Sequence, residues 1–211
     1  MGSLPPSGKR FGISPFFSAF KNVLKMLFTV SNRPVASVAV DNDEGMELAV
    51  NHLKSLGHKK IGYLSGALGS HVFLVRHRAF FAALKANGLP ADPQLSGSSY
   101  YISECIQKHL PRLLERGVTA IICSHDQLAN AAMVQCQELG KKIPEDLSII
   151  GFDDLPMSPY TAPPLTTIRQ DRPQLGKCGY YALDSLLNGV PIGTILLHPQ
   201  LILRSSCGAG K

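Results

Sequence analysis

The sequence contains no tryptophan, no Cys-x-x-Cys pair and no His-x-x-x-His spacing. Its five cysteines form an odd set, so neither a disulfide framework nor a zinc site is predicted. We expect no metal and no cofactor. Free cysteines of this kind are typical of a reducing compartment, which predicts a cytoplasmic protein.

Clusters of basic residues are also absent. The formal net charge of the 211 residues is +6, but Lys and Arg occur singly or in short groups. Because a nucleic-acid-binding face normally carries a basic stripe or patch, we predict that these residues do not bind DNA by themselves.

The chain has no long uninterrupted apolar run. The most apolar N-terminal segment, 11–30, is broken by Pro15, Lys21 and Lys25. A bilayer span needs about twenty apolar residues with few charges, so no membrane partner is predicted. The same breaks argue against a signal peptide. We predict instead a helix over residues 18–28 that packs on the rest of the chain.

Motifs for catalysis are missing as well. There is no G-x-S-x-G, no P-loop and no G-x-G-x-x-G after a strand. The adjacent carboxylates Asp153 and Asp154 suggest a metal site, but neighbouring residues of an extended chain point in opposite directions. An enzyme is therefore the least favoured of the function classes considered.

From residue 34 onward, strand patterns alternate with helix patterns. The apolar strand runs are "PVASVAV", "KKIGYLSG", "VTAIIC", "LSIIGF", "LTTIRQ" and "HPQLILR". Since strands separated by helices form βαβ units, the sequence predicts an α/β fold with a doubly wound, largely parallel sheet.

Three details of the helices can be predicted from local chemistry. Ser103 is expected to cap the helix that follows it, and Pro111 to kink or split that helix before Gly117. Either Ser124 or Asp126 is expected to cap the helix after "VTAIIC".

Polar residues follow most of the predicted strands. In open parallel sheets, ligands bind beyond the carboxyl ends of the strands, so these residues predict one polar pocket. Helix capping is the alternative for any one of them. The pair Asp153-Asp154 is the exception, since no helix pattern begins directly after it. The residues are Asp41-Asn42-Asp43, Ser65-Gly66, Tyr100-Tyr101, Ser124-His125-Asp126 and Asp153-Asp154.

Several motifs in a fixed order resemble a known family. They are "VDNDEGMELAVNHLKSLGHKKIGYLSG", "RHRAFFAALKANGL", "TAIICSHDQLANAAM", "KKIPEDLSIIGFDD", "PPLTTIRQD" and "LILRSS". Together they resemble the effector-binding region of the lactose repressor (LacI) family, whose members are sugar- and purine-responsive transcriptional repressors. The resemblance covers residues 34–206.

The resemblance implies a periplasmic-binding-protein-like domain made of two subdomains. Family members begin with a DNA-reading helix-turn-helix and several βα units, which residues 1–33 do not match, so a truncated member with an incomplete first subdomain is expected. The implied divisions are a divergent segment 1–33, an effector-binding domain 34–206 and a tail 207–211. Within the domain, 42–169 and 193–206 are mainly second subdomain, and 34–41 and 170–192 are remnants of the first.

The resemblance also implies ligand-binding residues. Arg76 matches an arginine that donates to ligand hydroxyls or carboxylates, and Asp153 matches an aspartate that accepts from ligand hydroxyls. His125 and Asp126 stand where the family usually has Asn-Asp, and Tyr100 stands where an aromatic residue often covers the ligand.

Gln170, Asp41 and Glu44 lie near the family's crossings between subdomains, and we predict them as further site residues. The alternatives are ordinary structural roles, namely helix caps, ion pairs and surface charges.

The predicted function is sensing of a small-molecule effector, with a sugar favoured, by part of a transcriptional regulator that forms a homodimer. DNA binding is expected only if missing sequence supplies a helix-turn-helix. The alternative is a periplasmic-type sugar-binding protein. The lack of a convincing signal peptide and the "GFDD" and "PPLTT" motifs favour the regulator.

Overall fold

The structure is a computed structural model that describes residues 37–210. The helix predicted over residues 18–28 lies outside the described residues. The chain divides into two compact units. The described part of the small unit consists of residues 37–39 and 172–196, and that of the large unit consists of residues 40–171 and 197–210.

Eight strands and five helices are found in residues 37–210. The strands are β1 Ser37–Val40, β2 Ile61–Ser65, β3 Ser96–Ser98, β4 Ala120–Cys123, β5 Ser148–Asp153, β6 Thr166–Arg169, β7 Thr194–Leu197 and β8 Gln200–Ile202. The helices are α1 Asn42–Ser55, α2 His71–Ala86, α3 Ile102–Glu115, α4 Asp126–Glu138 and α5 Arg172–Leu187.

The main sheet has six strands in the order β3-β2-β4-β5-β6-β8. All neighbours are parallel except β6 and β8, which are antiparallel. Two apolar clusters cover its two faces, one with residues of α1 and α2 and the other with residues of α3 and α4. The predicted α/β class with a doubly wound, largely parallel sheet is confirmed. Strand β7, which pairs with β1 in a two-stranded sheet, was not predicted.

Helix α3 differs from its prediction in two ways. It begins at Ile102 without a side-chain cap, so Ser103 lies inside the helix and does not cap it. Pro111 does not split it, because Leu110 and Leu113 are fully buried on one side and hold both halves against the core. Pro111 lacks the N–H that would bond to the carbonyl of Gln107, and Gln107 is an exposed residue.

Helix α4 is also capped differently. It begins at Asp126, its N-cap is His125, and no side chain caps it. The prediction that Ser124 or Asp126 caps this helix is therefore wrong. Both side chains make tertiary hydrogen bonds instead.

Candidate functional site

The carboxyl ends of β2 and β4 form a topological switch point in the large unit. These strands are neighbours, yet the helix after β2 packs on one face of the sheet and the helix after β4 packs on the other. The connections therefore diverge and leave a crevice, which is the general ligand position in open α/β sheets.

Arg76 of α2 is the centre of a polar cluster at this edge. The residue is only 4% exposed. Its Nε donates to Asn42 Oδ1 at 2.8 Å, and its Nη1 donates to the Ser124 carbonyl at 2.5 Å and to Asp153 Oδ1 at 3.2 Å. The guanidinium lies 3.6 Å above the Phe152 ring. Burial lowers the pKa of Arg76, while Asp153 opposes this shift, and a guanidinium remains charged in either case.

Asp153, the last residue of β5, shows backbone strain. Its φ is 110°, and the next residue, Asp154, has a φ of 50°. Gln170 donates from Nε2 to the same Asp153 oxygen that Arg76 contacts. Strained backbone of this kind occurs mainly at functional sites, where surrounding contacts hold it in place.

Asp154 has a different environment from its neighbour. Its two oxygens accept from Arg169 Nε and Arg204 Nη2, both at 2.6 Å. Burial alone would raise the pKa of Asp154, but the two arginines lower it overall. The two adjacent carboxylates thus point to different partners, and Asp154 ties β6 to the segment after β8.

His125 lies between the Arg76–Asp153 pair and a neighbouring pocket. Its Nδ1 is 3.0 Å from Ser124 Oγ, and its ring stacks on Phe73 with ring centroids 5.4 Å apart. Burial lowers the pKa of His125; the negative charge of Asp153 raises it, and the positive charge of Arg76 lowers it further. The imidazole is therefore neutral near pH 7.

The pocket beside His125 has a volume of about 220 Å³. Tyr100 lies on its rim and is 78% exposed. The walls combine apolar side chains with a few polar groups, a composition typical of small-ligand sites. The lining residues are Ser65, Gly66, Phe73, Ser99, Tyr100, Ile102, Cys105, His125 and Leu128.

Asp126 is not part of this surface. Its carboxylate is fully buried and accepts from Leu155 N at 2.7 Å, from Ser158 Oγ at 2.6 Å and from Thr167 Oγ1. Gly151 allows this approach, since a Cβ at that position would overlap with the carboxylate. Burial raises the pKa of Asp126, and its three hydrogen bonds oppose the shift. The geometry thus gives Asp126 a structural role.

Asp41 and Glu44 lie at the start of α1. Asp41 Oδ1 accepts from Glu44 N at 3.0 Å and caps the helix. Glu44 pairs with His198 Nδ1 at 2.6 Å, and this interaction raises the pKa of the exposed histidine. Of the eight predicted site residues, Arg76, Asp153, His125 and Gln170 lie together and Tyr100 lies on the adjoining pocket. The other three, Asp126, Asp41 and Glu44, make the contacts described above.

Sequence reasoning placed Asn42 and Ser124 in the polar pocket without giving either a ligand-binding role, and it missed Phe73 and Phe152. Asn42 and the Ser124 carbonyl hold Arg76, and Phe152 and Phe73 orient the arginine and the histidine. Phe152 precedes Asp153 within "GFDD", so that motif already contained a signal. The contact of Ser124 with Arg76 depends on a carbonyl, which any residue carries.

Two features are absent from the described part of the chain. Within residues 37–210, no group of three or more His, Cys, Asp or Glu side chains is arranged to hold a metal ion. No helix in the same range is long and apolar enough to cross a membrane.

The sequence matches known proteins over most of its length. Residues 50–207 match the periplasmic binding protein-like domain family. The HTH-type transcriptional repressor CytR of Escherichia coli K12 is 35% identical over 177 residues, which are 82% of this chain and 52% of the relative. The HTH-type transcriptional regulator MalR of Streptomyces coelicolor is 34% identical over 178 residues, covering 80% and 51%. The chain thus spans about half the length of these relatives, which are regulators rather than enzymes.

Solved structures of transcriptional regulators have a fold similar to that of this chain. The lac repressor dimer bound to operator and the anti-inducer ONPF matches with a TM-score of 0.76 and 31% identity, over 84% of this chain and 63% of that chain. Transcription regulator CcpA of Lactococcus lactis matches with a TM-score of 0.76 and 28% identity, covering 84% and 66%. The chain therefore belongs to the periplasmic binding protein-like domain family and corresponds to the effector-binding region of lactose repressor-type transcriptional regulators.

Proposed function

We propose that this chain binds a small, hydroxyl-rich molecule, with a sugar favoured, as the sensing domain of a transcriptional regulator. The observation that supports the proposal most directly is the meeting of Arg76, Asp153, His125 and Gln170 at the switch point of the sheet. This cluster offers a charged donor and a carboxylate acceptor side by side. Ligand hydroxyls can use both, because each hydroxyl donates one hydrogen bond and accepts others.

DNA recognition and assembly belong to the same proposal. The relatives are HTH-type regulators, and the lac repressor is a dimer on its operator. Operator binding is therefore proposed only for a longer protein that contributes a helix-turn-helix. A homodimer is proposed for the chain itself, and sedimentation at micromolar concentration that gives only monomer would contradict it.

The binding experiment begins with the parent protein and a panel of pentoses, hexoses, disaccharides and purines. A ligand that binds only the folded state raises the melting temperature by mass action. Calorimetry then gives the dissociation constant of any compound that does so. A panel without a single shift would count against a sugar or purine effector.

Two substitutions test the cluster. Asp153→Asn keeps the side-chain volume but removes the charge, and Arg76→Lys keeps the charge but removes the planar fork. Loss of a charge-assisted hydrogen bond costs about 1.5–3 kcal/mol, so each change should weaken binding roughly ten- to a hundredfold. Arg78→Lys is the matched control, because Arg78 lies on the same helix but is exposed. Unchanged affinity in both test variants would refute this site.

A further inference from the structure

Ser124 contacts both donor side chains of the site. Its carbonyl accepts from Arg76 Nη1 at 2.5 Å. Its hydroxyl is 3.0 Å from His125 Nδ1 and also accepts from the Gly66 N–H at 3.2 Å. Ser124 is fully buried, so water does not complete its hydrogen bonds.

The number of protons fixes the direction of the Ser124–His125 bond. The Ser124 oxygen already accepts from Gly66, and the hydroxyl has one proton to donate. If Nδ1 carried a proton, the oxygen would accept twice, and its own proton would have no recorded acceptor within residues 37–210. If Nδ1 is bare, both the hydroxyl and the ring nitrogen are satisfied. Since buried polar groups are nearly always paired, the second arrangement is favoured.

A bare Nδ1 places the proton of the neutral imidazole on Nε2. No hydrogen bond is recorded for Nε2 within the described residues, and His125 lines the 220 Å³ pocket. The ring offers a ligand one donor and no acceptor. Stacking on Phe73, with an angle of 25° between the rings, keeps the imidazole in this orientation.

We propose that Ser124 is a positioning residue that keeps the proton of His125 on Nε2, so that this nitrogen can only donate a hydrogen bond. The site then selects ligands that present an acceptor oxygen to Nε2. This inference rests on the proposed function and specifies it further. The matching ligand is a hydroxylated ring compound with a carbonyl, ring-ether or hydroxyl oxygen beside His125. A compound that presents only N–H groups or an ammonium there is rejected, because two donors would face each other.

The tautomer can be measured without any ligand. Long-range proton–nitrogen correlation spectra of protein labelled with ¹⁵N-histidine distinguish a protonated from a bare ring nitrogen, and His125→Gln assigns the signals. At pH 7.5, Nε2 should be protonated and Nδ1 bare. A proton on Nδ1, or a doubly protonated ring, would overturn the inference while leaving the proposed function intact.

Ser124→Ala separates the two tasks of Ser124. The variant keeps the carbonyl that holds Arg76 but loses the hydroxyl that fixes His125. The nitrogen signals of His125 should then move towards the average of the two tautomers. Ser70→Ala, at an exposed N-cap whose side chain makes no capping hydrogen bond, should change nothing. An unaltered His125 pattern in Ser124→Ala would contradict the positioning role.

Binding gives a second readout, with D-glucose, D-galactose and D-ribose as probes. For a probe that binds the parent, Ser124→Ala should weaken affinity up to about twofold, because only the fraction of molecules with Nε2–H is competent. Affinity that stays constant while the tautomer shifts would refute the selective role of His125. If no probe binds the parent, the proposed function fails for these sugars, and the spectra still decide the tautomer.

Discussion

Two histidines at opposite ends of β4 differ in how many of their ring nitrogens bond to the protein. His58, at the amino edge, uses both ring nitrogens: Nδ1 contacts Thr119 Oγ1 at 2.9 Å, and Nε2 contacts Ser148 Oγ and the Gly208 carbonyl at 3.0 Å. His125, at the carboxyl edge, bonds through Nδ1 alone among the contacts within residues 37–210. Both rings are neutral because burial lowers their pKa values.

The two histidines differ in the hydrogen-bonding capacity that their rings have left for a ligand. A ring with both nitrogens bonded to the protein ties segments together and has nothing left for a ligand. A ring bonded through one nitrogen is oriented and still has a donor for another molecule. The same distinction separates Asp126, whose carboxylate accepts from three groups inside the protein, from the residues that line the pocket.

The largest expected effect tests whether Asp126, like His58, stabilises the fold rather than binds a ligand. Asp126→Ala leaves the Leu155 N–H and two hydroxyls without their acceptor in the interior. Unsatisfied buried donors cost roughly 1–3 kcal/mol each, so with three of them the free energy of unfolding should fall by at least about 3 kcal/mol. Urea denaturation measures the change, and Asp43→Ala at an exposed position is the control. A stable variant that has only lost ligand affinity would place Asp126 in the site instead.

The next effect concerns His58. His58→Ala removes the hydrogen bonds to Thr119, Ser148 and Gly208 and leaves a cavity, which together should lower the free energy of unfolding by about 2–4 kcal/mol. His71→Ala, at an exposed helix start, should change it little. Equal midpoints of chemical denaturation for His58→Ala and His71→Ala would show that the contacts of His58 do not stabilise the fold.

A smaller effect should appear at Asp153, where the backbone is strained. Asp153→Gly and Asp153→Ala lose the same carboxylate, but only glycine adopts a φ of 110° without strain. The glycine variant should therefore be more stable than the alanine variant by about 1 kcal/mol. At Asp43, inside α1, the order should reverse, since alanine favours a helix. The same order at both positions would show that Asp153 carries no strain.

The smallest effect is a change in stability with pH. The pKa of His58 is lowered in the folded protein, first by burial, with the Gly208 carbonyl opposing the shift. The unfolded chain, with a histidine pKa near 6.5, therefore binds more protons at mildly acidic pH. The free energy of unfolding should fall as the pH drops below this value.

The histidine responsible can be identified by substitution. Other histidines with lowered pKa values contribute to the pH dependence of stability in every variant. The contribution of His58 is therefore the difference between the parent and the variant. The slope of unfolding free energy against pH should be shallower for His58→Gln than for the parent. Identical slopes between pH 7.5 and 5.5 would mean that the contacts of His58 with Thr119, Ser148 and Gly208 tolerate a charged ring.

The strands were largely predictable from the sequence because buried parallel strands are continuous apolar runs. "TAIIC" contains β4, and "LSIIGF" contains β5 except for its last residue, Asp153. Strand β7 was missed because it is short and its residues are half exposed, so it lacks that signal. Local rules failed where a distant partner decides the outcome. Asp126 has the chemistry of a cap, but its carboxylate bonds to groups 29 to 41 residues away.

The candidate site was predictable to the extent that it consists of charged residues at strand ends. The placement of Arg76 and Asp153 near one edge follows from the βαβ pattern and the resemblance. Their mutual contact, the role of Ser124 and the left-handed backbone at Asp153 depend on atoms brought together by folding. The contacts of His58 join residues up to 150 positions apart, and no local pattern reveals them.

The discontinuous large unit has a consequence for the order of events during translation. Strand β8, which completes the main sheet, and Arg204, which holds Asp154, are synthesised only after the small-unit segment 172–196. The nascent chain thus carries Arg76, His125 and Asp153 on a sheet with an uncovered edge at β6. Until β8 arrives, that edge is open to wrong pairing, so the time needed to synthesise residues 172–196 sets how long the edge stays unpaired.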